Sequence, residues 1–146
     1  MTPTGTATLL IDAPRERVRE VLLDPLSLPV WNSAFLSLTG PAAATLAAEY
    51  RVTVRPGLKG TFAYEAMDPG LVRMVWQVPG FAETGDWQLS AEGERTLVRH
   101  DFTHSGPLAA MLRQAYQGVA GIRLGRLQEV LRGRRGRPPF LPDPPP

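Results

Sequence analysis

The chain has 146 residues, 43% of them hydrophobic and 21% charged, which suits one compact domain. The absence of cysteine excludes disulfides, a thiol nucleophile and cysteine-ligated zinc. No run approaches the roughly 20 apolar residues that span a bilayer, and residues 1–12 lack the features of a signal peptide. We therefore expect a cytoplasmic protein without a transmembrane segment.

The net charge of +2 is distributed unevenly along the chain. Residues 1–122 carry a net charge of −2, whereas residues 123–146 carry +4. The last nine residues contain six of the 15 prolines. These features predict a single domain over residues 1–133 and a disordered basic tail over residues 134–146. Arginines without interleaved aromatic residues predict no specific binding of nucleic acid.

The first elements are a strand followed by two short helices. Residues 6–12 are predicted to form the strand, and Pro14 suits the first turn of the helix that follows. Val18, Val21 and Leu22 recur at helical spacing, which predicts a helix over residues 14–23. Residues 26–32 are predicted to form a second short helical turn that carries Trp31.

The middle of the chain has the alternating pattern of β-strands. Turn-like pairs such as Pro56-Gly57 and Pro79-Gly80 separate the apolar stretches, so the strands should form an antiparallel meander. The six predicted strands span residues 35–39, 48–55, 61–67, 71–78, 81–90 and 96–105.

A helical pattern of about 25 residues follows Gly106-Pro107. One arc of this predicted helix is apolar and should face the sheet; it consists of Leu108, Leu112, Ala115, Tyr116, Val119, Leu127 and Val130. Gly118, Gly121 and Gly125 lie on the opposite side. These glycines either are tolerated in a well-packed helix or allow a close contact, such as that of a homodimer.

The whole order of elements resembles the helix-grip fold of the START-like (SRPBCC) superfamily over about residues 5–132. The residues that carry the resemblance are Ile11-Asp-Ala-Pro14 with Val18, Asp24-Pro25, Trp31, Asp68-Pro-Gly70, Val75-Trp76, Thr96-Leu-Val98, Phe102 and Gly106-Pro107-Leu108. The resemblance implies an α+β fold in which a curved antiparallel sheet of about seven strands wraps around a long C-terminal helix. The superfamily includes polyketide cyclases and dehydratases, lipid-transfer domains and other ligand carriers.

A cavity between sheet and helix, which such a fold implies, would be rich in aromatic side chains. Alternation along the strands places all three tryptophans and all three tyrosines on the inner surface. These side chains either fill the core or line a site for a small hydrophobic molecule, aromatic or lipid-like. The candidate ligand-binding residues are Trp31, Phe35, Tyr50, Tyr64, Met74, Trp76, Trp87, His100, Phe102, Met111, Tyr116 and Arg123.

Few inward groups are suited to catalysis. His100 is the best candidate base, with Tyr64 or Tyr116 as a hydrogen-bond donor, and Glu83 is expected near a rim. His100 is alternatively a hydrogen-bonded core residue. His104 lies four residues further along the same strand, so the two Cα atoms are roughly 13 Å apart, too far to share a metal ion. No nucleotide-binding motif is present, so no metal and no cofactor are predicted.

Arg123 interrupts the apolar arc of the last helix. Either its stem covers apolar surface while its guanidinium reaches water, or it binds an acidic head group at the mouth of the pocket. Arg126 poses the same question more weakly.

Three functions remain open from the sequence. The first is a non-catalytic binding or carrier protein. The second is an enzyme similar to polyketide cyclases or dehydratases, in which His100 and a tyrosine move protons. The third is a regulatory or interaction protein that uses the glycine face or the basic tail. A filled core with no cavity would favour the third, and an inward hydrogen-bonded His–Tyr or His–Asp pair would favour the second.

Overall fold

The computed structural model describes residues 3–136, in which seven strands form one antiparallel sheet. The strands are β1 (Gly5–Ile11), β2 (Phe35–Thr39), β3 (Tyr50–Val54), β4 (Leu58–Asp68), β5 (Leu71–Val78), β6 (Phe81–Glu92) and β7 (Arg95–Ser105). Their order across the sheet is β1-β7-β6-β5-β4-β3-β2. The meander from β2 to β7 is thus confirmed, and β1 adds to it beside β7.

Helices cover the inner face of the sheet. They are α1 (Arg15–Leu22), a 3-10 turn (Pro25–Ser27), α2 (Leu28–Trp31), α3 (Ala109–Leu112), a second 3-10 turn (Gln114–Tyr116) and α4 (Val119–Gly136). In α1 the residues at helical spacing, Val18, Val21 and Leu22, are the buried ones. The predicted α+β architecture, with short helices after β1 and a long helix at the end of the described chain, is confirmed.

Strand register aligns inward-facing side chains in rows across the sheet. One row runs from Phe62 on β4 through Trp76 on β5 and Glu83 on β6 to His104 on β7. Because strands in a sheet lie about 4.8 Å apart, neighbours in such a row contact each other directly. This row brings a carboxylate and an imidazole together on the inner face.

The predicted single helix after Gly106-Pro107 is wrong, because the helical segment is broken before α4. Gln117 has an extended backbone (ψ 131°), and Gly118 has φ +75°, a conformation that glycine adopts without strain. Helical periodicity continues through the break, so the pattern of apolar residues did not reveal it.

The break changes which residues of the segment are buried. Leu124, Leu127 and Leu131 of α4 are at most 2% exposed, whereas Ala115 of the predicted apolar arc is exposed. α4 continues to Gly136, so the first three residues of the predicted tail are helical. The remainder of that tail, residues 137–146, lies outside the described residues.

The observed orientation of α4 predicts very different losses of stability for substitutions at two nearby positions. Leu124→Ala should lower the free energy of unfolding by about 2–5 kcal/mol, because it leaves a cavity under the helix. Ile122→Ala, at a residue that is 52% exposed, should change it by less than about 0.5 kcal/mol. Chemical denaturation of both variants measures the two values, and similar losses would contradict this orientation.

Candidate functional site

The aromatic residues predicted to line a pocket are on the inner face, as alternation indicated. Those that are at most 2% exposed are Trp31, Phe35, Tyr50, Tyr64, Trp76, Trp87 and Phe102; Phe62, which was not among the candidates, is 1% exposed. Their rings contact one another edge to face; the centroids of Trp31 and Trp87, for example, are 5.3 Å apart. In this structure these side chains pack against one another rather than around an open cavity.

Two of the tyrosine hydroxyls have structural partners. The Tyr64 hydroxyl donates a hydrogen bond to the Leu22 carbonyl oxygen at 2.6 Å, and the Tyr50 hydroxyl donates to the Pro41 carbonyl oxygen at 2.7 Å. Burial raises the pKa of both phenols. Tyr64, predicted as a proton donor for catalysis, instead ties β4 to the end of α1.

Two further candidates, Met74 and Met111, have different surroundings. Met74 lies on the inner face and is 3% exposed. Met111 is 75% exposed, so it does not form the pocket wall that was predicted. It belongs to α3, which precedes the break and buries none of its residues.

A cluster of four polar side chains lies beneath α4; we call Glu83, His100, His104 and Arg123 the polar cluster. Arg123 donates to both carboxylate oxygens of Glu83, with Nη1–Oε2 at 2.9 Å and Nη2–Oε1 at 3.0 Å. The Arg123 side chain is 1% exposed and that of Glu83 is 5% exposed. The expectation that Arg123 reaches water is therefore wrong, as is the expectation that Glu83 lies near a rim.

Glu83 also accepts hydrogen bonds from two neighbours in its row. His104 donates through Nε2 to Oε1 at 2.9 Å, and Trp76 donates through Nε1 to Oε2 at 3.3 Å. Burial by itself would raise the pKa of Glu83, but Arg123 and the hydrogen bonds from His104 and Arg123 outweigh it and hold the pKa at about 2. Glu83 is therefore an ionised carboxylate with four donors.

His100 is held as a neutral imidazole. Its Nδ1 lies 3.0 Å from the carbonyl oxygen of Asp86, and its Nε2 lies 3.1 Å from Nη1 of Arg123. Because a guanidinium can only donate, Nε2 is the acceptor and Nδ1 carries the proton. Burial, and next the charge of Arg123, lowers the pKa of His100 to about 4. Its ring stacks on Trp87 with centroids 3.7 Å apart.

Two nitrogen atoms of the polar cluster have no hydrogen-bond partner among the described residues. They are Nδ1 of His104 and Nε of Arg123, and both are buried. His104 donates through Nε2 to a carboxylate, and its Nδ1 remains available for a further hydrogen bond. Such unsatisfied buried atoms are rare and are found at sites that bind a ligand or water.

Aromatic rings surround His104. Its ring lies 4.5 Å from Phe81, 4.9 Å from Phe102 and 4.3 Å from Tyr116, measured between centroids. The structure thus brings the predicted residues Trp76, His100, Phe102, Tyr116 and Arg123 together. It adds Phe81, Glu83 and His104, which were not among the predicted ligand-binding residues.

The missed residues left a signal in the sequence. Glu83 occupies an inward position of β6, and Gly85 occupies the next, so no side chain separates Glu83 from the helix above. A Cβ atom on Gly85 would lie 3.4 Å from Oε2 of Glu83 and 3.4 Å from Cε1 of His100. A carboxylate predicted inward and an arginine predicted on the facing helix arc are each unfavourable alone. Considering Glu83 and Arg123 together as an ion pair would have identified the polar cluster.

The outer face of the sheet has a groove of its own. It has a volume of about 350 Å³ and is lined by Glu49, Thr61, Ala63, Glu65, Val75 and Thr84 among others. Its lining also includes Phe62, Trp76 and Glu83, whose side chains are buried on the inner face. Within residues 3–136, no helix is long and apolar enough to cross a membrane, and no three His, Asp or Glu side chains form a group that could hold a metal ion.

Comparison with known proteins identifies the family. Residues 2–132 match the family described as polyketide cyclase / dehydrase and lipid transport. The chain therefore belongs to this family, and the START-like resemblance is confirmed. No curated protein matches the chain.

Solved structures share the fold at low sequence identity. Zhui aromatase/cyclase from Streptomyces sp. R1128 superposes with a TM-score of 0.70 at 18% identity, over 90% of this chain and 94% of that one. A START superfamily protein from Mycobacterium smegmatis gives 0.65 at 19% identity, over 89% and 94%. DynU16, a protein of the dynemicin biosynthetic locus, gives 0.61 at 22% identity over 91% of this chain, which spans 48% of DynU16. These likenesses confirm the helix-grip fold.

The buried ion pair predicts strong energetic coupling between Glu83 and Arg123. Arg123→Leu should lower the free energy of unfolding by about 3–5 kcal/mol, because it leaves Glu83 as an unpaired buried charge. The double variant Arg123→Leu/Glu83→Gln should lose less than the sum of the two single variants, by about 1–3 kcal/mol. Urea denaturation of the four proteins measures this coupling.

The matched control for this cycle is the surface pair of Arg73 and Asp86, whose side chains are 38% and 23% exposed. Arg73→Leu should cost less than about 1 kcal/mol because solvent screens that pair. Purely additive losses at Glu83 and Arg123 would contradict the coupling.

The lowered pKa of His100 predicts a pH-dependent stability. The pKa is about 4 in the folded protein against an ordinary value of 6.5, so the unfolded chain binds the proton first as pH falls. The free energy of unfolding should therefore decrease as pH is lowered from about 6.5 to about 4. His100→Asn should remove this part of the pH dependence, which denaturation curves at pH 7, 5.5 and 4 measure. An unchanged pH profile in His100→Asn would show that His100 is not held neutral.

Proposed function

We propose that this protein binds a small, mostly apolar molecule between the sheet and α4, as a carrier or binding protein. The proposal rests on one observation: the side chains predicted to act in catalysis are engaged in structural hydrogen bonds and ring stacking. Both ring nitrogens of His100 are hydrogen-bonded, its ring is stacked on Trp87, and the Tyr64 hydroxyl is used by Leu22. Neither group is left to move a proton on a substrate. Membership of a family that includes lipid transport supports binding as the function.

The composition of the inner face supports an apolar ligand with one polar end. Aromatic and aliphatic side chains supply this face, and the polar cluster supplies the unsatisfied atoms of His104 and Arg123. Burying about 200 Å² of ligand contributes roughly 5 kcal/mol at about 25 cal/mol/Å². Since association itself costs several kcal/mol, micromolar affinity requires hydrogen bonds in addition. The polar cluster is suited to provide them.

Ligand access requires movement, because the inner aromatic side chains pack against one another in this structure. The segment between β7 and α4 is the covering that contributes least to the core, since neither α3 nor the following 3-10 turn has a buried residue. Its displacement would uncover the polar cluster and leave the sheet intact. Although a filled inner face by itself favours an interaction protein, it is compatible with ligand binding because one thinly packed segment covers it.

A second candidate function is a cyclase- or dehydratase-type reaction at His104. Glu83 fixes the imidazole through Nε2 at 2.9 Å, and Nδ1 remains unpartnered, which is the arrangement of an oriented general base. In such a reaction Nδ1 would accept a proton from the substrate, and Arg123 would stabilise negative charge that develops on a nearby oxygen. The reaction would need no metal and no nucleotide cofactor. The family description and this His–Glu pair favour this alternative over one based on His100.

Binding of a neutral apolar amine tests the carrier proposal. N-phenyl-1-naphthylamine should quench the tryptophan fluorescence saturably with micromolar affinity, because Trp76 and Trp87 lie on the inner face. His104→Leu should weaken binding by about fivefold through loss of one hydrogen bond. Thr103→Ala, at the neighbouring outward position of β7, should leave the affinity unchanged. Absence of saturable quenching would refute the proposal.

Turnover distinguishes the carrier from the enzyme. A carrier should release poly-β-keto and hydroxylated substrates unchanged, as chromatography after incubation would show. If the wild type converts such a substrate and His104→Gln lowers kcat a hundredfold at unchanged KM, the enzyme replaces the carrier.

A further inference from the structure

The segment of residues 107–117 is attached to the rest of the molecule at few points. It lies between Gly106 (φ +99°) and Gly118 (φ +75°). Four of its side chains, those of Leu108, Ala109, Leu112 and Tyr116, pack against the core and are only partly buried, while Met111 projects into solvent. Segments with few buried apolar contacts open at low free-energy cost. We call residues 107–117 the cover segment.

Tyr116 reaches from the cover segment toward the polar cluster. Its ring stacks on Phe81 with centroids 5.6 Å apart and planes at 28°. It meets His104 edge to face at 4.3 Å and Phe102 at 5.9 Å. The phenol ring therefore occupies an aromatic box whose inner wall is the buried imidazole of His104.

Two atoms of the polar cluster lack partners. His104, whose side chain is 1% exposed, has an unpartnered Nδ1, and Arg123 has an unpartnered Nε–H. The Nε–H group of Arg123 is a donor, and Nδ1 of His104 is a second hydrogen-bonding atom of the imidazole. A hydroxyl group is a small neutral group that both donates and accepts, so it can pair with either atom.

We propose that Tyr116 is an internal plug, and that the molecule which replaces it is a neutral hydroxylated aromatic compound. This inference rests on the proposed binding function and specifies its ligand class. The ligand's ring takes the place of the Tyr116 ring between Phe81, Phe102 and His104. Its hydroxyl group meets the polar cluster, and the cover segment moves outward.

The charges of the polar cluster select against an acidic ligand. The guanidinium of Arg123 is already paired with both oxygens of Glu83, so a ligand carboxylate would meet a neutralised arginine beside a buried carboxylate. Like charges in a buried site repel strongly. The phenol of Tyr116, which occupies this position, is itself neutral. Burial and, to a smaller extent, the charge of Glu83 raise its pKa to about 12. The expectation that Arg123 selects an acidic ligand is thereby replaced.

Calorimetric titration at pH 7 tests the plug with 1-naphthol and 1-naphthoate as probes. The wild type should bind 1-naphthol measurably and bind 1-naphthoate at least tenfold more weakly. Tyr116→Ala should bind 1-naphthol at least tenfold more tightly than the wild type, because no side chain has to leave. Gln114→Ala, an exposed position in the same 3-10 turn, should match the wild type.

A second measurement uses the wild type alone and does not depend on a variant that folds. Addition of 1-naphthol should shift the NMR signals of the Tyr116 ring toward those of an exposed tyrosine, because the ring leaves Phe81 and Phe102. Unchanged Tyr116 signals at saturation would overturn the plug.

The remaining outcomes separate this inference from the proposed function. If N-phenyl-1-naphthylamine binds the wild type but Tyr116→Ala gains no affinity for 1-naphthol, the plug is refuted and the carrier proposal stands. If only Tyr116→Ala binds 1-naphthol, the site is an artificial cavity and the plug is likewise refuted. Equal affinity for 1-naphthoate would refute the choice of a neutral ligand. If no apolar probe binds the wild type, the carrier proposal itself fails.

Discussion

The buried ion pair between Glu83 and Arg123 fixes how α4 lies on the sheet. Each charge loses its hydration on burial, at an effective cost of several kcal/mol, and only close pairing with further hydrogen bonds offsets that loss. Glu83 has four donors, from Arg123, His104 and Trp76, and Arg123 also donates to His100. Only positions of α4 that bring Arg123 over Glu83 avoid leaving one of these two charges buried and unpaired. The pair thus supplies a register that apolar packing alone would not impose.

The same pair divides the inner face into two regions of different chemistry. On one side, aromatic rings such as those of Phe35, Phe62 and Tyr50 pack edge to face against each other. On the other, the polar cluster presents unsatisfied atoms of His104 and Arg123 toward the ring of Tyr116. A ligand that is apolar along its length and polar at one end matches this division. The proposed binding would use hydrogen-bonding atoms that the ion pair leaves without partners.

Alternation and turn signals are local, so the strands and their inner faces could be predicted from the sequence; β2 and β5 have the predicted bounds. Two features depended on contacts between distant residues and could not be read from local patterns. The apolar residues keep helical spacing on both sides of Gly118. The break is visible only in the structure, where Tyr116 and Leu124 both face the sheet. Glu83 and Arg123 are 40 residues apart, and each was interpreted alone as a surface or rim residue. Together, their inward positions indicate a pair.

The break at Gln117 and Gly118 separates the contribution of α4 to stability from the role in recognition that we propose for residues 107–117. Leu124, Leu127 and Leu131 hold the helix on the sheet, whereas residues 107–117 bury little and end at glycines on both sides. Substitutions, insertions or deletions in this segment can therefore accumulate without unfolding the domain. Under the proposed function, divergence of ligand preference would require no change in the core, and replacement of these 11 residues would be a route to new specificities on an unchanged scaffold.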